Sequence, residues 1–92
     1  MKRMNFSEVL EGLHQGKRYR REAWGKAFIF LVHGSTFVVN REPLKSILGE
    51  GTIVTYHSHI DMMSEIGYVT TWTASQPDLL AIDWEEVLAE NS

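Results

Sequence analysis

Apolar residues recur at helical spacing near the start of the chain. Phe6, Val9, Leu10 and Leu13 fall on one stripe of 3.6-residue period, which predicts an amphipathic helix with that stripe buried. Asn5 stands where a cap is needed, and Glu8 follows three residues on, as in a capping box. Met4 and Val9 have the spacing of a hydrophobic staple across that cap. Gly12 weakens the helix interior and Gly16 ends it. A helix this short needs a sheet beneath it to be stable.

The pattern then shifts to period two. Residues 18–21 read as a short strand with Tyr19 inward, and Gly25 marks a turn within the break at 22–26. Residues 27–32, Ala-Phe-Ile-Phe-Leu-Val, are apolar on both faces. That predicts a central strand, or one whose second face another subunit covers. Gly34 and Ser35 turn the chain, and 36–39 read as a hairpin partner or edge strand. Residues 40–56 are loop-rich and the least legible part. Leu44, Ile47 and Leu48 fit one helical turn after Pro43, Gly49 and Gly51 bracket a loop, and 53–56 read as extended. A strand at 59–63, a turn at 65–67 and an antiparallel return at 68–72 follow.

The most informative local signal lies near the end. Ser75 is an N-cap, Pro77 falls in the first turn where its missing N–H costs nothing, and Asp78 holds the capping-box position. A helix over 76–82 is expected, offering Leu79, Leu80 and Ile82 to the core. Residues 83–88 read as a closing strand with Trp84 inward, and the last four residues are expected to fray. The fold class is therefore α+β. One antiparallel β-sheet carries a capped N-terminal helix and a short C-terminal helix, packed mainly on one side. The chain, residues 1–92, reads as a single domain with its core over about 4–88.

Composition narrows this picture. A domain of 92 residues buries only about 60–65% of its extended surface, so self-association would stabilise it. Apolar residues make up 43%, with three Trp, three Tyr and four Phe, enough for a core and against disorder. Cysteine is absent, which removes disulfide and thiol chemistry and suits a reducing compartment. No apolar h-region follows the first residues, so no signal peptide is expected. The apolar run at 27–32 is far too short to cross a bilayer.

Charge is uneven. The net value is −3, yet residues 1–26 hold seven basic and three acidic side chains, and 27–92 hold two basic and nine acidic. Lys17, Arg18, Arg20, Arg21 and Lys26 form the one cluster that would welcome an anion, or else a solvated strand edge. With no basic stripe elsewhere, nucleic acid is not an expected partner.

Candidate chemistry is sparse. His57, His59 and Asp61 alternate and would share a strand face, where they could approach a divalent metal with His14 or His33. The same spacing also describes an ordinary polar sheet face, and no metal is assigned. Ser75 reads as a cap rather than a nucleophile, and no Gly-x-Ser-x-Gly elbow exists. Asp78 and Asp83 flank the short helix, with Asp78 largely explained by capping. No phosphate-loop or dinucleotide fingerprint is present, so no cofactor is expected. Trp24 beside Arg20, Arg21 and Lys26 is either core or a platform that stacks a base while cations hold its phosphate.

Several motifs coincide in order with one family. They are Asn5-Phe6 with Leu10, Leu13-x-x-Gly16-Lys17, and Arg21-x-x-Trp24-x-Lys26-x-Phe28-Ile29. Ile60-x-Met62 and Gly67 follow, then Trp72-Thr-x-Ser-Gln-x-Asp-Leu-Leu-Ala-x-Asp-Trp84. On these residues the chain resembles the Thoeris anti-defence type two family, small phage-encoded proteins found also in prophages, over about residues 4–88. The resemblance implies a protein without catalysis, a sponge that sequesters the glycocyclic ADP-ribose signal of Thoeris immunity in the cytoplasm of the infected bacterial host. Some relatives hold cyclic oligonucleotide signals. It also implies a homo-oligomer, a dimer or typically a tetramer, with ligand held between subunits.

Residues matching the family motifs are the expected ligand site: Arg21, Trp24, Trp72, Thr73, Ser75 and Asp78, with Arg20, Lys26, His59, Asp61 and Met62 as outer members. Where the family carries Trp-Asn-Gly-Lys, this chain has Trp24-Gly25-Lys26. Where the family has prolines around the Trp-Thr pair, it has Thr71 and Ala74. Residues 33–56 carry none of the family motifs quoted above and are where ligand choice is expected to be set. Two other readings stand beside sequestration. One is a metal-dependent enzyme that degrades a nucleotide signal through His57, His59 and Asp61. The other is a protein-interaction module that blocks a host factor through Trp24 and the apolar strand.

Overall fold

The computed structural model describes residues 2–88. Helix α1 spans Phe6–His14 and is closed at its start by the expected capping box. Glu8 N donates to Asn5 Oδ1 at 3.0 Å and Asn5 N donates to Glu8 Oε1 at 3.1 Å. Its end is wound by Lys17 N donating to the Gly12 carbonyl, with Gly16 at φ +86°, a conformation that favours glycine. Phe6, Val9 and Leu13 are buried as predicted, but Leu10 is 40% exposed. The stripe that α1 turns toward β1 and β2 is therefore narrower than its periodicity implied.

Seven strands follow the helix: β1 Arg18–Arg21, β2 Phe28–Val32, β3 Ser35–Val38, β4 Ile53–Tyr56, β5 His59–Met63, β6 Val69–Thr71 and β7 Trp84–Val87. Helix α2, Leu44–Leu48, lies between β3 and β4, and α3, Gln76–Leu80, precedes β7. The class is α+β with all strand pairs antiparallel. Five strands form the main sheet in the order β6-β5-β2-β1-β7, which makes the all-apolar β2 central, as predicted. Met4 adds a bridge to Trp84, its N–H and carbonyl both bonded to that residue's backbone.

The sequence marked both β3 and β4 as extended but left their pairing open. β3 does not fold back on β2 as a hairpin partner; it pairs with β4. The register shows why. Val32 faces His59 in the β2–β5 ladder, and Ser35 faces Tyr56 in the β3–β4 ladder. The two ladders are therefore in one register, a single long ribbon interrupted at 33–34 and 57–58. The ribbon carries α2 at its tip and projects as an arm. The extents of 48 × 29 × 22 Å and a radius of gyration of 16.3 Å reflect it, against about 12 Å for a compact domain of this length. Val39 is fully buried inside the arm, giving it a small core of its own.

The main core lies on one sheet face. Phe6, Val9, Leu13, Tyr19, Ile29 and Trp84 are buried together, with Met4, Trp24, Leu31, Ile60, Met62, Trp72 and Ala81 packed around them. The C-terminal helix departs from expectation. It ends at Leu80, not Ile82, because Ala81 turns to extended geometry at φ −68°, ψ 149°. Leu79, Leu80 and Ile82 are 42%, 78% and 75% exposed. The short helix thus gives none of these three side chains to the core, which takes Ala81 and, as predicted, Trp84. The fraying expected of the last four residues lies outside the described residues.

Gly12 is required rather than merely tolerated. A Cβ placed there would sit 1.6 Å from the Tyr19 hydroxyl and 2.4 Å from its ring carbon Cζ, because the phenol lies across the helix backbone. Helix propensity favours Gly12→Ala by about 1 kcal/mol, while overpacking a closed contact costs about 1–3 kcal/mol. The contact is far inside van der Waals range, so the second effect wins. Thermal unfolding followed by circular dichroism should show Gly12→Ala melting several degrees below the parent; a raised midpoint would contradict this packing.

Candidate functional site

The residues expected to hold a ligand converge on Arg21. This side chain ends β1 and faces Trp84 across the β1–β7 ladder. Its guanidinium donates from Nε to Asp83 Oδ1 at 2.6 Å and from an NH group to Asp78 Oδ1 at 2.9 Å. The three side chains are only 14–23% exposed. Asp78 is held in turn by the capping box of α3. Its Oδ2 accepts from Ser75 N at 3.1 Å, and its own N–H donates to Ser75 Oγ at 3.2 Å. Trp84 Nε1 donates to the Asp78 carbonyl at 3.0 Å, and the Arg21 guanidinium stands 6.0 Å from the Trp84 ring.

Four aromatic rings pack beside this ion cluster. Trp24 comes from the short 3-10 turn Glu22–Trp24 after β1, and Trp72 directly follows β6. Their centroids are 6.1 Å apart at 69°, and each contacts the buried Trp84 edge-on, at 5.1 Å and 6.0 Å. Phe6 closes the group from α1. Edge-to-face geometry of this kind suits ring quadrupoles. Trp84 is fully buried, while Trp24 and Trp72 are only partly buried and pack against the core around it.

The electrostatics follow from these contacts. The Arg21 hydrogen bond holds the Asp83 carboxyl below its ordinary value of 3.8. Burial pushes Asp78 upward, but its bonds from Ser75 and Arg21 outweigh that, and it too titrates below its ordinary value. Arg21 is raised, chiefly by its bond to Asp83. One cation therefore stands between two anions. An anionic ligand at Arg21 would have to displace a carboxylate, so the guanidinium acts first as an organiser. The first turn of α3 has little to offer an anion either, since Pro77 lacks an N–H and the Asp78 N–H is taken.

Of the expected site residues, Arg21, Trp24, Trp72, Ser75 and Asp78 are brought together, and exposed Thr73 follows Trp72 directly. Lys26 is exposed in the turn after Trp24. Met62 lies on the core face, packed under the cluster's sheet. Arg20, His59 and Asp61 fall on the opposite sheet face and do not join the cluster. Arg20 bonds the Gly25 carbonyl and pairs with Glu85 at 3.0 Å. His59 Nε2 stands 3.5 Å from Asp61 Oδ1, while His57 lies beyond the strand. Among the described residues no group of three His, Cys, Asp or Glu side chains is placed to hold a metal.

Asp83 is the member that sequence reasoning missed as a partner of Arg21. The sequence drew attention to Asp78 and Asp83 together but gave no sign that they share Arg21, which is 62 residues from Asp83. Among the described residues, cavities lie away from this cluster. One of about 430 Å³ runs between α1 and the β7 edge, lined by Glu8, Glu11, Tyr19 and Glu86 among others. Another, of about 320 Å³, lies in the arm beside Phe37, Arg41 and Tyr56. Neither contains a residue of the expected site.

The ion cluster makes stability depend on pH with a definite sign. Both carboxyls titrate lower folded than unfolded, so their contribution is complete above about pH 4–5 and is lost as pH falls through the folded values. Arg21→Met should cost about 2 kcal/mol at pH 7, since it leaves two part-buried carboxylates facing each other. It should also flatten the acid limb of the stability profile. Urea unfolding between pH 7 and pH 3 checks both, and an unchanged acid limb would contradict the assignment.

A family model described as the Thoeris anti-defense 2-like domain matches residues 4–87. No curated protein matches the chain. The matched span includes α1, every strand of both ladders, α3 and the whole Arg21–Asp78–Asp83 cluster with its indoles. The chain belongs to the Thoeris anti-defense 2-like family.

Proposed function

We propose that this protein disables Thoeris defence by binding its nucleotide signal, of the glycocyclic ADP-ribose type, and holding it without turnover. The observation that carries this reading is the pair of half-buried indoles, Trp24 and Trp72, set edge-on against Trp84, which the ion cluster anchors. A flat π-face is what an adenine needs, and stacking contributes about 1–3 kcal/mol per base. Ser75 and Thr73 hydroxyls offer partners for ribose hydroxyls. Lys26 is the nearest cation in sequence with no carboxylate partner among the described residues, and it suits the pyrophosphate better than the committed Arg21.

Such a site is shallow on one chain, and a second subunit closing over the indoles would bury the ligand and slow its release. Assembly as a homo-oligomer, dimer or tetramer, belongs to the same proposal, as does action in the cytoplasm of the infected host. No helix among the described residues is long and apolar enough to cross a membrane. A cyclic oligonucleotide presents the same base and phosphate chemistry and is the alternative ligand.

Retention is tested by incubating the purified protein with the Thoeris signal, with cyclic di- and trinucleotides, and with a chelator control, then heating it and analysing what comes off. Intact ligand is the expected product. Altered ligand would point to an enzyme, and no retained ligand to a protein-interaction module. Trp24→Ala should weaken retention roughly 10- to 100-fold, the loss of one stacking partner, while the variant keeps a folded circular dichroism spectrum. Wild-type retention by Trp24→Ala would remove that residue from the site.

A further inference from the structure

We infer that the helix-free face of the main sheet packs against the same face of a second copy, about a two-fold axis parallel to β2. Alternation along the strands puts Arg18, Arg20, Phe28, Phe30, Val32, His59, Asp61 and Met63 on this face, opposite the core side chains Tyr19, Ile29 and Met62. Both helices of the main body belong to the core side, where α1 contacts β1, β2 and α3. Phe28, Phe30, Val32 and Met63 nevertheless form an apolar centre on the open side. Phe28 and Phe30 are in contact at 6.0 Å, and none of the four side chains is fully buried. An antiparallel sheet that faces water on one side ordinarily carries polar residues there.

Charge identifies the occupant. Tyr19 pairs with Ile29, and Phe30 pairs with Asp61, so Arg18, Phe30 and Asp61 lie in one row across β1, β2 and β5. Arg18 has no carboxylate partner among the described residues; its guanidinium rests 5.1 Å over the Phe28 ring. Asp61 has only His59, at 3.5 Å and charged only when protonated. The cation and the anion therefore flank β2 on opposite sides, each short of a partner.

Two-fold rotation about an axis along β2 exchanges the positions of β1 and β5 and keeps each row at its own height. Arg18 of one copy then stands over Asp61 of the other, twice, with Phe30 near Phe30 between them. A second copy fits this pattern because one chain supplies both halves of the complement. Aligned stacking of two twisted sheets is a common packing. This inference rests on the self-association proposed above and adds its face and its register.

The test is a charge-reversal cycle read by sedimentation velocity over a wide concentration range, with ligand retention measured in parallel. Arg18→Glu and Asp61→Lys should each weaken association at least 10-fold. The double reversal should recover it to within a few-fold of the parent. The milder Arg18→Gln and Asp61→Asn pair gives smaller losses and serves if a reversal disturbs folding. Single variants that associate like the parent would overturn this face while leaving self-association intact. A parent protein that sediments as a monomer throughout overturns the inference, and intact retention by that monomer would leave sequestration standing.

Discussion

The Arg21 guanidinium, bonded at once to Asp78 and Asp83, is the contact on which the rest of the body depends. It joins β1 to both ends of α3, a helix of five residues that could not persist alone. By fixing α3 it fixes the carbonyl that receives the Trp84 indole, and Trp84 is the largest fully buried side chain in the core. Trp24 and Trp72 then take their places against Trp84. Packing and the candidate site are therefore one construction. The cation that looked available for a phosphate is the one that holds the aromatic group in shape.

This changes what each residue is expected to contribute. On the proposed function, capture of a nucleotide falls to the half-buried indoles and the hydroxyls beside them, with the guanidinium anchoring Trp84 behind them. A site of this kind suits holding better than reacting. Its carboxylates are kept ionised by Arg21 and by Ser75 and are already satisfied, which is a poor state for a general acid. Preorganisation reduces the entropy lost on binding and favours slow release. Membership in an anti-defence family would give the proposed holding a use, since a signal held is a signal that does not reach its receptor.

Much of the fold was legible because local rules and tertiary packing agree. Both capping boxes, at Asn5 and Ser75, form as their residue types demand, and six consecutive apolar residues place β2 at the sheet centre. Leu80 and Ile82 misled because apolar character was read as burial, whereas a helix ending at Leu80 leaves both outside. The arm was not legible for a different reason. Its strands pair over a gap of many residues, and only the shared register of two ladders reveals one ribbon. Within the site, Trp24, Trp72 and Arg21 were visible as residue types in a motif. The commitment of Arg21 to Asp83 was not, since it joins positions far apart in sequence. Likewise His59 and Asp61 share a strand with Met62 but point to the other face, a distinction that only the register decides.

The central claim is that the signal is held and not consumed. The most direct measurement is a long time course with the signal in excess over protein chains, counting free, bound and chemically altered molecules at each point. The account predicts that free signal falls quickly to a plateau at no more than one molecule bound per subunit, and that everything recovered on denaturation is intact however long the incubation. Depletion that continues past that stoichiometry, with a modified nucleotide accumulating, would contradict it.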